Sequence, residues 1–262
     1  MHRIAVCALM AAPLFAQPPS AVSPELRFEV ASLKPTPPGA RGGGIRPAEG
    51  GMRYVAGNVP VRAMIMVAYR MRLDQIVGGP SWLDSERYDM EAKAERPSSP
   101  DELHTMLINM LVDRMQLRFH REQRSLPRYV LTVSKDGPKL TPHQAQTAHD
   151  PWADLTMEKF LHLKLTVTAA PLDYAAFQMA QQVDRPVIDM TGLKGGYDFT
   201  LSFTANLPAG FPEGGKINGE DPDTSGPTIF QAVKQQLGLE LKPDKGPVNV
   251  IVIDHVEKPS AN

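Results

Sequence analysis

The stretch Arg185 to Phe203, RPVIDMTGLKGGYDFTLSF, constrains the fold of this chain more than any other. It joins a short apolar strand, a Gly-rich turn and a strand in which Tyr197, Phe199, Leu201 and Phe203 alternate with Asp198, Thr200, Ser202 and Thr204. A period of two over eight residues marks a half-buried strand, so one face of this element must cover a core. Before it come a strand at 163–167 and a helix opened by Pro171, with Leu172, Ala175, Ala176, Met179 and Val183 on one face. After it, a loop rich in Gly, Pro and Asp (206–226) leads to a helix from Pro227 to Leu237. Ile229, Phe230, Val233 and Leu237 are expected inward there, and Gly238 stops the helix. Strands at 239–241 and 248–256 close the unit.

An earlier part of the chain follows the same order: a strand at 52–55, a helix over 60–71 and a short strand at 75–77. An alternating strand follows at 87–95, with Tyr88, Met90, Ala92 and Ala94 on one face. Ser99-Pro100-Asp101-Glu102 then supplies an N-cap, an N1 proline and the acid of a capping box. Leu103, Met106, Leu107, Met110 and Leu111 form the apolar stripe of the helix it opens. Strands at 116–122 and 128–133 complete the unit. Tyr-Asp opens the alternating strand both times, as Tyr88-Asp89 and Tyr197-Asp198. The order strand–helix–strand–strand–helix–strand–strand thus occurs twice. It implies an α+β fold of two related small modules, each a mixed sheet with two helices on one face. The expected boundaries are 1–16 (signal segment), 17–51 (linker and first strand, at 28–33), 52–137 (first module), 138–162 (linker, with a short helix near 157–161) and 163–262 (second module).

The N-terminus has the form of an export signal. His2 and Arg3 precede an apolar run from Ile4 to Phe15, and Leu14-Phe15-Ala16 offers a cleavage site. The run is too short for a stable membrane span; if retained, it would act as an anchor. Cys7, the single cysteine, would leave with the signal, so disulfides, thiol catalysis and cysteine metal sites are excluded from the mature chain. A net charge of −1 provides no overall field for nucleic acid or anionic membrane. The 25 prolines concentrate in linkers and loop starts, which suits ordered strands with stiff connections.

No motif assigns chemistry. The histidines lack HExxH spacing, no G-x-S-x-G elbow is present, and Gly42 to Gly44 is not followed by the Lys-Ser/Thr of a phosphate loop. No catalytic residue, metal site or cofactor is therefore assigned. The candidates for binding or interaction are Trp82 with Tyr88, as an aromatic wall after Gly78-Gly79-Pro80, and the basic stretch containing Arg118, His120 and Arg121. The repeated pairs add Asp89, Tyr197 and Asp198. The plainer reading of the basic stretch is a solvated strand face paired with Asp89, Glu91 and Glu95 on a neighbouring strand, and of the aromatic residues a plug at the edge of a core. Asp254-His255 ends an apolar strand, but adjacent strand residues face opposite ways and make no simple dyad.

FEVASLKP (28–35), GGPSWLDSERYDMEAKA (78–94), DRMQLRFHRE (113–122), LPRYVLTVSKDGPKL (126–140), the 185–203 stretch and QQLGLELKPDKGPVNVIVIDHVEKPSAN (235–262) carry a resemblance in order along the chain. The sequence resembles the uncharacterised soil-associated family of exported proteins expanded in acidobacteria, a domain of unknown function. Some members of that family are joined to membrane-embedded peptidases of the antibiotic-sensor type, which implies an extracytoplasmic sensing or interaction role. Met115 departs from the Phe expected there. A weaker resemblance links 170–253 to the short N-terminal domain of secretins and TonB-dependent receptors, through Pro171-Leu172, Gly238-Leu239 and Val250-Ile251-Val252. The 206–226 insertion departs from that pattern. The reading that follows is an exported, non-enzymatic binding module for an envelope protein, a peptide or a glycan, with a polymer hydrolase as the alternative.

Overall fold

The computed structural model describes residues 26–259 apart from 48, 145–151, 208–209, 217–218 and 220. The expected signal segment lies outside the described residues, as do parts of the 138–162 and 206–226 stretches. In chain order the first half contains β1 (Val30–Pro35), β2 (Gly44–Pro47), β3 (Arg53–Val59), α1 (Val61–Tyr69), β4 (Ile76–Gly78), α2 (Trp82–Ser85), β5 (Tyr88–Lys93), α3 (Pro100–Met115) and β6 (Arg118–Val133). The second half contains β7 (Thr141–Pro142), β8 (Trp152–Lys159), β9 (His162–Ala170), α4 (Leu172–Ala180), β10 (Val187–Asp189), β11 (Tyr197–Thr204), α5 (Ile229–Leu237) and β12 (Leu239–His255).

Local signals act as their chemistry requires. Along β5, Tyr88, Met90 and Ala92 are buried and Glu91 and Lys93 exposed. The Ser99 hydroxyl accepts from Glu102 N (3.2 Å) and the Glu102 carboxylate accepts from Ser99 N (2.9 Å), closing the expected capping box. All five residues of the α3 stripe are buried. Gly238 ends α5 in the left-handed region (φ 64°); a Cβ there would lie 2.1 Å from Gly137 O, so only glycine fits. Phe230 differs from expectation. Ile229, Ala232, Val233 and Leu237 fill the buried stripe of α5, and Phe230 is 38% exposed.

The α+β class holds, but the mixed sheet is not repeated in each module. Each half has an all-antiparallel sheet, β1-β5-β3-β2 in the first and β7-β11-β9-β8 in the second. The mixed sheet, β10-β6-β12-β4, is shared. β6 and β12 lie antiparallel from Leu239 opposite Val133 to His255 opposite Arg118. β4 of the first half runs parallel to β12 of the second, and β10 of the second runs parallel to β6 of the first. Each short strand thus pairs with the long strand of the other half. The cores follow the exchange: Ile251 and Ile253 complete the first, and Leu131 joins the second.

β6 and β12 are each continuous, where the prolines suggested breaks. Tyr129 N donates to Pro186 O (2.7 Å), away from β12, so odd-numbered residues of β6 direct their N–H groups outward. Pro127 has that parity, and the pairs Pro243 with Tyr129 and Pro247 with Ser125 are of the same outward class. None of the three prolines removes a donor from the β6–β12 ladder, and each removes one from an outer edge. A second correction concerns 152–159. Read as linker with a short helix following, this segment is β8, antiparallel to β9. Ala153, Leu155 and Met157 alternate with Asp154, Thr156 and Glu158, a period too short and too polar in its flanks to stand out.

The exchange makes each half dependent on the other. Fragments 26–137 and 138–259 expressed singly are expected to be unfolded, because loss of Ile251 and Ile253 alone removes about 3–6 kcal/mol from a total stability of about 5–15 kcal/mol. Co-expressed, they are expected to associate and to recover the circular dichroism of the intact chain. A folded, monomeric single fragment in hydrogen-exchange measurements would contradict the shared sheet.

Candidate functional site

The two Tyr-Asp pairs occupy corresponding places. Asp89 Oδ1 accepts from Asn58 N (2.8 Å) and Thr36 Oγ1 (2.7 Å), and Asp198 Oδ1 accepts from Ala169 N (2.8 Å). Asn58 and Ala169 are both in the left-handed region (φ 51° and 54°), each two residues before the proline that precedes α1 or α4. The carboxylate therefore holds the strained residue of the bend that turns a strand into a helix. Both carboxyl groups titrate below their ordinary range, chiefly because a backbone N–H donates to the charged form. Asp198 also contacts His143 Nδ1 (2.9 Å), whose Nε2 is buried without a partner among the described residues. Tyr88 is buried, and its hydroxyl donates to Glu86 (3.0 Å). Burial and that carboxylate push the phenol up to about 12. Tyr197 is also buried, and its hydroxyl donates to Lys194 O.

The basic stretch is divided between two faces. On one, His120 Nδ1 meets Asp254 (2.8 Å) and Nε2 meets Glu122 (3.2 Å), while Arg124 pairs with Glu122. Hydrogen bonds to Asp254 and then Glu122 raise the His120 pKa. On the other, the Arg121 guanidinium lies 5.3 Å from the centroid of the Tyr69 ring. The carboxylates beside His120 come from β6 and β12, not from β5, whose ladder neighbours are β1 and β3. Trp82 packs partly buried on the first core, with Lys258 Nζ 5.9 Å from its ring centroid. Lys258 also contacts Glu86, so Trp82, Tyr88 and the chain end meet at one corner.

A different set of residues converges where the halves meet. The turn after α1, the start and end of α4, β10 and Asn249 of β12 surround a cavity of about 440 Å³. Arg70, Arg72, Asp173 and Asp189 put four charges around it, with Gln75 and Asn249 as amides. Arg72 donates from Nη1 to Ala180 O and Val183 O, taking up carbonyls left open at the end of α4, and its Nε contacts Asp74. The Arg70 guanidinium lies 4.4 Å over the Tyr174 ring and pairs with Asp101. Gln75 Nε2 donates to Asn249 O (2.9 Å). Asp189 accepts from Thr191, and Asp173 from Tyr174 N. Tyr69 lines the cavity, and its hydroxyl is buried with no partner among the described residues; burial raises its pKa. The sequence held the residue types but not this convergence, since the contributing segments span 69 to 249 and meet only through the strand exchange.

Behind Arg70 lies a second buried polar pair, Tyr54 and His104, edge to face with centroids 5.8 Å apart. The Tyr54 hydroxyl and His104 Nδ1 have no partner among the described residues. Burial, then the Arg70 charge, depresses His104 to about 4. Among the described residues no group of three or more His, Cys, Asp or Glu side chains is placed to hold a metal ion.

Two outcomes follow. Asp89→Ala is expected to cost about 1–2 kcal/mol by freeing Asn58 N and Thr36, whereas Glu91→Ala on the exposed side of β5 costs little; urea unfolding measures both. For His104, the unfolded imidazole takes up its proton near 6.5 and the folded one near 4. Stability is therefore full above pH 6.5 and falls as pH drops from 6.5 toward 4, by about 3 kcal/mol. Urea unfolding across that range should show the slope, and His104→Phe should flatten it.

Comparison with known proteins fits a chain of this architecture without assigning its chemistry. No curated protein and no solved structure matches it. The comparisons lend no support to the narrower acidobacterial grouping or to the secretin-type module. Residues 62–256, from α1 to the end of β12, match the model of a family described as a protein of unknown function (DUF3738). The match covers about three quarters of the chain, and the chain belongs to that family.

Proposed function

We propose that this protein is an exported, non-enzymatic binding module that holds an extracytoplasmic partner in the cleft between its halves. The observation that carries the reading is the cleft itself: a cavity of about 440 Å³, within the range of binding sites, walled by both halves and edged by two guanidinium and two carboxylate groups. Those charges are already held by neighbours on the protein, so the walls are pre-organised, and the buried Tyr69 hydroxyl adds an unused donor and acceptor. Both signs of charge around one opening suit a partner with polar groups of both kinds, such as a segment of an envelope protein, a peptide or a glycan. Export is supported by the basic and apolar start of the chain.

A hydrolase needs a nucleophile with its base, or an acid and a base, converging on one point. Among the described residues the cleft is lined by no Ser, Cys or His, and its two carboxylates are each engaged by a nearby N–H or hydroxyl. The His143–Asp198 contact is outside the cleft lining.

The test is capture from solubilised native envelope by the tagged full chain, by Asp173→Lys and by Ile188→Lys, with the retained species identified by mass spectrometry. Asp173 is exposed and Ile188 half-buried at the cleft, so both variants are expected to keep the thermal midpoint within a few degrees. At least one species retained by the parent should be reduced about tenfold or more by both variants. Identical retention by all three would sink the reading. So would turnover of an envelope polymer by the parent that both variants lose.

A further inference from the structure

The segment between α4 and β10 contributes to a second cavity. Whereas Ala180 and Pro186 line the cleft, Gln182, Val183 and Asp184 line a separate space of about 340 Å³. Its other walls are Tyr129 of β6, the end of β11 with Asn206, and the start of α5. Phe203 is buried against it, and Phe230 is 38% exposed at the α5 side. Tyr129 and Phe230 pack edge to face, with centroids 5.1 Å apart. Exposed Phe230 has no role in the core stripe of α5, which Ile229, Ala232, Val233 and Leu237 supply.

The polar groups of this cavity fall into three kinds. The hydroxyls are engaged: Thr204 Oγ1 donates to Ser225 O (2.6 Å) and Thr228 Oγ1 accepts from Gln231 N (3.3 Å). Asp184 is paired: Arg185 contacts it at 2.6 Å. Arg185 lies 4.8 Å from the Tyr129 ring centroid, so the ion pair and the ring form one braced unit. The side-chain amides of Gln182 and Asn206, by contrast, make no hydrogen bond to the described residues. Each amide offers donors and an acceptor together.

We propose that this cavity binds a neutral saccharide. An apolar ring face beside paired donor–acceptor groups matches the two surfaces of a sugar, its C–H face and its hydroxyls, which both donate and accept. The Asp184–Arg185 pair provides no free charge for an acidic ligand. A peptide strand would need an open ladder edge, and Thr204 N at the end of β11 is already bonded to Pro227 O (2.8 Å). The site is distinct from the cleft and stands whether or not the cleft holds a partner.

Isothermal titration of the full chain with neutral oligosaccharides of glucose and of N-acetylglucosamine, and with oligogalacturonate as the acidic comparison, tests this. At least one neutral oligosaccharide should bind saturably and more tightly than the acidic one. Phe230→Ala is expected to weaken it about tenfold, and Gln182→Ala and Asn206→Ala several-fold each. Glu91→Ala, on the exposed side of β5 and in the lining of neither cavity, should bind as the parent does. If Phe230→Ala does not fold, the two amide variants carry the test. No saturable binding by any neutral oligosaccharide, preference for the acidic one, or parental affinity in the folded variants of this cavity would overturn the proposal.

Discussion

From Leu239 opposite Val133 to His255 opposite Arg118, β12 and β6 run side by side along their whole length, and each half of the molecule is built on one end of that ribbon. Because β4 docks on β12 and β10 on β6, the ribbon carries contacts that neither half could make alone. Its middle is two strands wide, where an open ladder would invite pairing with another chain. Pro127, Pro243 and Pro247 answer this by their parity. They keep the inner ladder intact and leave gaps in the outer donor rows. Arg128 braces the same stretch, bonding Asp244 (2.7 Å) and Pro247 O (2.9 Å) across Gly246. A Cβ at 246 would come within 2.6 Å of that guanidinium.

What was legible in the sequence is what short-range physics decides. The alternation at 88–94 and 197–203, the capping box at Ser99 and the α3 stripe depend on neighbours within a few residues, and each is present as read. The continuity of β6 and β12 was not legible, because whether a proline breaks a strand depends on which edge its missing N–H faces. That is a property of the register with a partner more than a hundred residues away. The exchange of β4 and β10 is hidden for the same reason. A three-residue strand carries too little pattern to name its partner, and the order of elements suggests the adjacent one.

The candidate residues show the same division. Sequence can register that Tyr-Asp recurs, and the recurrence has a mechanical basis: both aspartates hold a left-handed residue at a strand-to-helix bend. It can register a concentration of arginines and that, on a strand, Arg121 faces away from His120, but not that β6 and β12 provide their own carboxylates. The cleft residues had no such signal. Arg70, Arg72, Asp173 and Asp189 are unremarkable in their local settings and acquire a common surrounding only through the shared sheet.

The way the halves are joined also brings the two cavities against one short segment. Arg72, from the first half, holds the carbonyls of Ala180 and Val183 at the end of α4, and the short stretch that follows them lines the cleft at Pro186 and the second cavity at Gln182 to Asp184. That stretch then enters β10, whose partner β6 places Tyr129 in the second cavity. Both spaces are thus walled by one short segment, and Arg72 ties that segment to the turn that leads from α1 to β4. In a chain whose halves share one sheet, that segment is joined to both cores, because β10 is tied to one long strand and β4 to the other.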